Sequence, residues 1–357
     1  MEAVVGHRAN LVVIDRDVEL YYSHWAAITL LDDLVWGPEH GLRYVRSQDP
    51  RDASNPREWL DPDWCEGVAL IDVGRRVLAI GDAEPGLYRR FRHLVYRCTW
   101  PGWEIVWAVD GLRSVLDYLR MDRPDVPGER VPAPDRDTMT AFWKEDDGSK
   151  EGVVLSTTCG AVGHVWTTVD FVDEHLSVGP ERFASHVPGP LEPMVADDPS
   201  GGIHVDFDRQ TVSVWDAMTS SEDIEHLAQR SWPGFKLERW YDRFESHNEA
   251  LGAAIIDPQL DRTTMRSTIQ NVAAGPTMNW SNPVANFAAW FRRSGTPVSF
   301  TSAVDAHVPV APGRLSEFAL ARLAELEDEV LHGTEGMPPP VRVILPSGNL
   351  SGDQPGP

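Results

Sequence analysis

The sequence Ser/Thr-Trp-Pro-Gly-aromatic occurs twice, and this repetition constrains the fold more than any other feature. It begins at Thr99 in TWPGWEIVWAVDGL and at Ser231 in SWPGFKLERWYDRF. Each time a helix-like segment precedes it and an alternating, strand-like segment follows. Proline pushes the preceding residue out of the helical region, and glycine permits a sharp turn into a strand. The motif therefore predicts the same helix-to-strand corner at two places.

Two further pairs of segments match in the same order along the chain. Gly-Pro-Glu occurs at Gly37 and at Gly179, and GVALIDVGRRVLAIGD from Gly67 lines up with GIHVDFDRQTVSVWD from Gly202. The offset is 142 residues at Gly-Pro-Glu and 132 at Trp-Pro-Gly. A net deletion of ten residues explains the difference, because loops tolerate changes in length. We infer an internal duplication.

The predicted fold class is α+β, a tandem duplication of a ββα-ββα-βα unit with pseudo-two-fold symmetry and a helical C-terminal extension. Runs rich in Val, Ile and Tyr predict the strands, and runs of helical periodicity predict the helices. Pro38 is expected to kink or to restart the first helix. Asp110 and Asp242 are expected to cap the last helix of each unit. We expect mixed or antiparallel sheets with helices on one face.

Composition and pattern predict five segments. They are repeat 1 (1–120), a Pro-rich charged linker (121–150), repeat 2 (151–252), a C-terminal extension with a strand and a helix (253–336), and a tail (337–357). The helix of the extension is predicted within RLSEFALARLAELEDEVLHG, which has an apolar face and ends at a glycine. The tail contains three consecutive prolines and SGNLSGDQPGP, a composition that predicts disorder.

The chain has a formal net charge of −23, and residues 121–200 alone carry 16 acidic against 6 basic residues. Such a field repels phosphate backbones and disfavours nucleic-acid binding. It would suit a basic protein partner, although solubility alone also explains it. Three cysteines without CxxC spacing favour a reducing cytoplasm. No apolar run is long enough to span a membrane.

The candidate catalytic residues are His24, Glu39 and His40. His24 could act as a base oriented by Glu39 if the fold brings the two together. The alternative is a half-buried histidine at a strand end and a glutamate in a first helical turn. Glu39 and Glu181 could also pair as acids between the repeats. A Pro-Glu pair is, however, an ordinary helix opening.

His204, Asp206 and Asp208 share one face of a predicted strand and form a set that could hold a divalent metal. The alternative is a solvent-exposed face, with Ile203, Val205 and Phe207 facing the core. In the alignment above, the corresponding residues of repeat 1 are Ala69, Ile71 and Val73, which are all apolar. One strand rarely completes a metal site. We therefore assign no metal and no cofactor.

The leading interpretation is a non-enzymatic, immunity-like or regulatory protein whose acidic surface covers a basic partner. The alternative is a hydrolase with a pocket in repeat 1 or at the repeat junction. The expected binding surface comes from the linker and repeat 2. Its residues are Asp146, Asp147, Glu151, Asp173, Glu174, Asp197, Asp198, Asp206 and Asp208. The sequence leaves the oligomeric state open.

Overall fold

The fold is taken from a computed structural model that describes most, but not all, of the chain. The described residues are 8–24, 26–55, 65–81, 86–121, 151–159, 162–168, 172–185, 194–196, 198–216, 221–241, 243–252, 256–258, 261–275, 314–332, 341–345 and 347–351. The predicted linker, apart from its first residue, and the predicted strand at 294–304 lie outside this part of the chain.

The N-terminal unit is built on a six-stranded mixed sheet. Its strands are β1 (Ala9–Ile14), β2 (Val18–Ser23), β3 (Asp49–Arg51), β4 (Gly67–Asp72), β5 (Val77–Gly81) and β6 (Glu104–Trp107). Their order in the sheet is β3-β2-β1-β4-β5-β6. The pairs β1–β4 and β5–β6 are parallel, and the other pairs are antiparallel.

Helices cover both faces of this sheet, whereas the sequence predicts them on one face. They are α1 (Leu30–Leu34), α2 (Pro38–Arg46), α3 (Gly86–Thr99) and α4 (Leu112–Leu119). The first three pack on the face that carries Leu11, Ile71 and Ile80. Helix α4 packs on the opposite face, against Val12 and Leu70. A sheet buried on both sides needs runs of apolar residues, and all six residues of β4 are buried.

The central unit has a five-stranded mixed sheet and a separate two-stranded one. Its strands are β7 (Glu151–Cys159), β8 (Val162–Thr168), β9 (Met194–Ala196), β10 (Asp198–Asp206), β11 (Thr211–Asp216), β12 (Lys236–Arg239) and β13 (Ile256–Pro258). Its helices are α5 (Val172–Ser177), α6 (Pro180–Ser185), α7 (Ser221–Ser231) and α8 (Ser246–Leu251). The larger sheet has the order β12-β11-β10-β7-β8, and β9 pairs with β13.

The two larger sheets have the same connectivity. In chain order, β7, β8, β10, β11 and β12 repeat the neighbours and the parallel or antiparallel sense of β1, β2, β4, β5 and β6. Within the described residues, the N-terminal sheet has one further edge strand, β3. The mixed α+β class predicted from the sequence is confirmed.

Both Trp-Pro-Gly motifs form the predicted corner, and both make the same contacts. The indole N–H of Trp100 donates to the carbonyl of Leu34 at 2.9 Å, and that of Trp232 donates to the carbonyl of Leu176 at 2.6 Å. Each carbonyl lies just before the Gly-Pro-Glu segment. The corner therefore ties the end of the third helix of each unit to the end of the first.

The glycine of each Gly-Pro-Glu segment completes this contact. Gly37 and Gly179 have φ angles of 92° and 78°, which favour glycine. A Cβ at these positions would lie 2.8 and 2.6 Å from the carbonyl oxygens of Thr99 and Ser231. Pro38 begins α2, so the predicted restart of the helix is confirmed.

Two local predictions are corrected by the structure. The N-cap of α4 is Gly111 rather than Asp110, and the N-cap of α8 is Glu245, whereas Asp242 lies outside the described residues. The alignment of the hairpins is also shifted by one residue. The Oδ1 atom of Asp72 accepts from the amide of Arg75, and Oδ1 of Asp206 accepts from that of Arg209.

The C-terminal extension adds helices α9 (Arg262–Ala274) and α10 (Glu317–His332). Helix α10 lies where the sequence predicts it and packs against α3 and α9. The tail prediction needs a correction, because Val343 and Ile344 are buried. Val343 forms a bridge with Trp107, and the buried side chain of Ile344 extends the apolar cluster under α4. In the described part of the chain, no helix is both long and apolar enough to cross a bilayer.

Candidate functional site

A buried group of polar side chains lies on the sheet of the central unit, under α8. Ser156 is on β7, His204 lies beside it on β10, and His247 comes from α8. All three are almost completely inaccessible to solvent. Trp215 on β11 and Trp240, after β12, border them. We call this group the Ser-His-His chain.

The hydrogen bonds of the Ser-His-His chain run in one direction. The indole of Trp215 can only donate, and it donates to Nε2 of His247 at 2.8 Å. A neutral His247 therefore carries its proton on Nδ1 and donates to the hydroxyl of Ser156, at 2.6 Å. The hydroxyl in turn donates to Nδ1 of His204 at 2.8 Å. The proton of the neutral His204 ring is then on Nε2, which lies 3.5 Å from the hydroxyl of Thr158.

This assignment requires both imidazoles to be neutral, and their environment favours that state. Burial lowers the pKa of His204 to about 4. Burial, together with the charge that His204 would carry, holds the pKa of His247 well below its ordinary value. Trp240 stacks on His204 with ring centroids 5.6 Å apart and meets His247 edge-on at 5.1 Å. The aromatic rings supply the apolar surroundings that disfavour a charge.

The corresponding layer of the N-terminal unit is apolar. Val12 pairs with Leu70 in the parallel ladder β1–β4, as Ser156 pairs with His204 in β7–β10. Counting from the Trp-Pro-Gly corner of each unit, the position of His247 corresponds to Val115, which packs in the same apolar cluster as Val12 and Leu70. The Ser-His-His chain is thus a chemical difference between two sheets of the same connectivity.

The arrangement resembles a nucleophile beside its base, but it is closed to substrates. A serine that donates to a neutral histidine is the pair that nucleophilic catalysis requires. Ser156, however, has 0% of its surface exposed. A reacting atom would have to approach within about 3 Å of its hydroxyl. The geometry therefore fits a buried, structural hydrogen-bond network that orients α8 on the sheet.

The structure does not bring the predicted catalytic residues together. His24 is partly buried and its Nδ1 lies 2.9 Å from the hydroxyl of Tyr22. Glu39 is exposed in the first turn of α2, and His40 is buried on the other side of that helix. Burial, and then the charge of Arg43, lower the pKa of His40 to about 4. Among the described residues, neither Glu39 nor His40 is joined to His24 by a hydrogen bond.

The predicted acidic surface is spread over distant parts of the central unit. Glu151 pairs with Asp198 at one end of the β7–β10 ladder, and Asp206 lies at the other end, about 25 Å away at the rise of a strand. Asp206 ends β10 and its carboxylate accepts from the amide of Arg209 in the following turn, where Asp208 is exposed. Asp173 and Glu174 lie in the first turn of α5. Asp146, Asp147 and Asp197 lie outside the described residues.

The metal interpretation of His204, Asp206 and Asp208 has no support in the geometry. His204 is buried and held by Ser156, whereas Asp208 is exposed in the turn. The described residues contain no group of three or more His, Cys, Asp or Glu side chains that could hold a metal ion. The alternative of an exposed strand face is also wrong for His204, because that face is covered by α8 and Trp240.

Sequence reasoning missed Ser156 and His247, which are 91 residues apart and meet only in the fold. A signal did exist. His247 follows the second Trp-Pro-Gly by the same interval at which Val115 follows the first, so a polar residue occupies an apolar position. Comparisons with family models, with curated proteins and with solved structures find no match for this chain.

Proposed function

We propose that this chain is a non-enzymatic interaction protein of the immunity or regulatory type, built from two diverged copies of one α+β unit, which binds a basic protein partner. The shared connectivity of the two sheets and the matching corners at Trp100 and Trp232 support the duplication. The net charge of −23 supports a basic partner, since complementary charge favours association.

One observation carries the proposal, namely the outer face of α10. Phe318 is 58% exposed, the most of any large apolar side chain in the described residues. Ala321, Glu325 and Asp328 follow it at helical spacing and are also exposed. We call these four residues the acidic face of α10. An exposed aromatic ring beside carboxylates provides an apolar anchor within a negative rim, as protein interfaces require.

The balance of charge on α10 points to the same partner. The helix contains Glu317, Glu325, Glu327, Asp328 and Glu329 against a single arginine, Arg322. Arg322 pairs with Glu325, and Arg266 of α9 pairs with Glu327. The remaining carboxylates are exposed. A lysine- or arginine-rich surface with an apolar pocket complements this face.

The test combines capture with matched variants. The wild-type protein is used to capture partners from an extract of its native cells, and the retained protein is then purified and titrated calorimetrically. We expect the variant Phe318→Ser/Asp328→Lys to bind the purified partner about ten- to a hundredfold more weakly, as a lost anchor and a reversed charge imply. Glu39→Lys, a charge reversal at an exposed position on α2, should bind like wild type.

The proposal has two ways to fail. A retained protein that is not basic, or one that binds the α10 variant as tightly as wild type, would contradict it. Loss of binding in Asp208→Lys with full binding by the α10 variant would instead assign the interface to the central unit. The hydrolase hypothesis has no comparable support, because Ser156 and His40 are buried and Glu39 points away from His40.

A further inference from the structure

A cavity of about 350 Å³ lies between α3, β6 and the C-terminal segment. One wall is a single face of α3, with Arg90, His93, Leu94 and Arg97 at helical spacing. Trp103, just before β6, also lines the cavity. The volume falls within the range of sites for small molecules. The lining residues include none of the four residues of the acidic face of α10, and ligand binding here does not depend on the partner proposed for that face.

The cavity is cationic in a strongly acidic protein. Three arginines line it, with Glu104 as the one carboxylate among the lining residues of the described chain. Arg342 pairs with Glu104, and Arg90 pairs with Glu245. Arg97 is exposed and makes no ion pair within the described ranges. Its guanidinium is therefore the group available to an incoming anion.

The histidine of the cavity adds a neutral acceptor. His93 is buried and its ring donates to the backbone carbonyl of Ile105. Burial, and then the charge of Arg89, lower the pKa of His93 to about 3, so it is uncharged near neutral pH. Its second ring nitrogen is then an acceptor. The cavity thus presents one cation, one neutral acceptor and the apolar surfaces of Leu94 and Trp103.

We propose that this cavity binds a small organic carboxylate with an aromatic or aliphatic body. The apolar body would lie against Trp103 and Leu94, and the carboxylate would pair with Arg97. A guanidinium is well suited to a carboxylate because it can donate two parallel hydrogen bonds. A monoanion fits better than a phosphate dianion, since Arg90 and Arg342 are already paired with carboxylates and Arg97 alone supplies a positive charge without a carboxylate partner among the described residues.

Phenylacetate is the probe, with phenylacetamide and phenyl phosphate as comparison ligands for the full-length protein. We expect phenylacetate to bind most tightly, measured by ligand-observed NMR titration. Arg97→Gln should weaken binding of phenylacetate about ten- to a hundredfold, the loss expected for a charged hydrogen bond. Arg209→Gln removes an exposed arginine from the β10–β11 turn and should leave the affinity unchanged.

Three outcomes of the titrations would overturn the proposal even if the probes bind. They are equal affinity for phenylacetate and its amide, tighter binding of phenyl phosphate than of phenylacetate, and unchanged affinity in Arg97→Gln. Because Arg97 is exposed, its substitution should not disturb folding. Far-ultraviolet circular dichroism and the thermal midpoint of Arg97→Gln check that point directly. Absence of binding of every probe up to millimolar concentration also rejects the site.

Discussion

Gly202 lies directly opposite Trp215 in the β10–β11 ladder. The corresponding ladder pair of the N-terminal sheet joins Val68 to Gly81, so there the glycine lies on the other strand of the pair. A Cβ on Gly202 would meet the indole nitrogen of Trp215 and would lie 2.5 Å from Nε2 of His247. The missing side chain at position 202 therefore makes room for the hydrogen bond between Trp215 and His247.

We expect Gly202→Ala to destabilise the protein by about 1–3 kcal/mol, because the added methyl group overpacks the core and displaces a buried hydrogen bond. Urea denaturation measures the change. Gly74→Ala is the matched control. Its Cβ would find its nearest neighbour at 3.6 Å, an ordinary contact. Equal stability of the two variants would contradict the packing argument.

The Ser-His-His chain should tolerate complete replacement better than partial replacement. Ser156→Val leaves Nδ1 of His204 and Nδ1 of His247 without their hydroxyl partner and should cost about 1–3 kcal/mol for each buried group left unpaired. The combination Ser156→Val, His204→Leu, His247→Val and Trp215→Phe removes all donors and acceptors of the chain together. Its three aliphatic residues match Val12, Leu70 and Val115 of the N-terminal unit.

Denaturation of this fourfold variant should give a stability above that of Ser156→Val, since removing both partners of a hydrogen bond can be nearly neutral. The reverse order would show that the four side chains do not act as one buried network. The stability of Ser213→Val is the comparison, because this variant replaces a buried serine on β11 that does not belong to the Ser-His-His chain.

The stability of the protein should fall as the pH decreases from about 6.5 to 4. The pKa of His204 is lowered to about 4 from 6.5, so in this interval the unfolded chain binds the proton and the folded chain does not. The unfolding free energy then decreases as the pH falls. The loss is on the order of 3 kcal/mol for His204, and His247 contributes in the same direction.

Other groups titrate in this interval and must be separated from His204. Burial raises the pKa of Asp33 to about 6, which stabilises the folded state as the pH falls and so acts in the opposite direction. His40 acts in the same direction as His204. The comparison is therefore between wild type and the fourfold variant, measured by denaturation at each pH. Parallel stability curves would refute a contribution from the Ser-His-His chain.

The pair Arg90–Glu245 links α3 of the N-terminal unit to the residue before α8. The guanidinium of Arg90 is fully buried, Glu245 is 27% exposed, and both carboxylate oxygens accept from Arg90. Arg90 also lies over the ring of Phe244, 4.5 Å from its centre. A buried arginine that loses its anion is costly because the remaining charge stays desolvated.

Glu245→Gln should lower the unfolding free energy by about 1–3 kcal/mol, less than for a fully buried pair because Glu245 is partly exposed. Glu249→Gln is the control, since its partner Arg243 is 54% exposed and Glu249 itself 62%. An exposed pair is worth at most about 1 kcal/mol. If both variants lose the same stability, the contact between the two units is not supported by this ion pair.

The local features of the fold could be predicted from the sequence, whereas contacts between distant segments could not. Pro38, Pro101 and Pro233 act on the backbone around them, so their roles are visible in a short stretch of sequence. The indole bonds of Trp100 and Trp232 reach carbonyls 66 and 56 residues away and are not visible in this way. The environment of His204 depends on which strand face is covered, and a one-residue error in alignment exchanges the two faces. That error placed His204 opposite Ala69 rather than Leu70, at a position buried in both sheets.

One residue of the candidate site can be predicted from the sequence, but its hydrogen-bond partners cannot. His204 was recognised as a residue that differs between the two units, but it was grouped with Asp206 and Asp208, its neighbours in sequence. Its actual partners come from other strands and helices. The acidic surface illustrates the same limit. Net charge is a property of composition, while the grouping of Phe318 with Asp328 requires knowing which side of α10 packs on α3.

The corner that joins Trp100 to Leu34, and Trp232 to Leu176, also has a consequence for protein engineering. From Gly37 to Trp100 the chain advances 63 residues, and from Gly179 to Trp232 it advances 53. The same hydrogen bond from indole to carbonyl joins the ends of both segments, although one segment is ten residues shorter. The intervening loops can thus differ in length while this hydrogen bond is kept. A foreign peptide inserted in such a loop should therefore leave the hydrogen bond between the indole and the carbonyl in place.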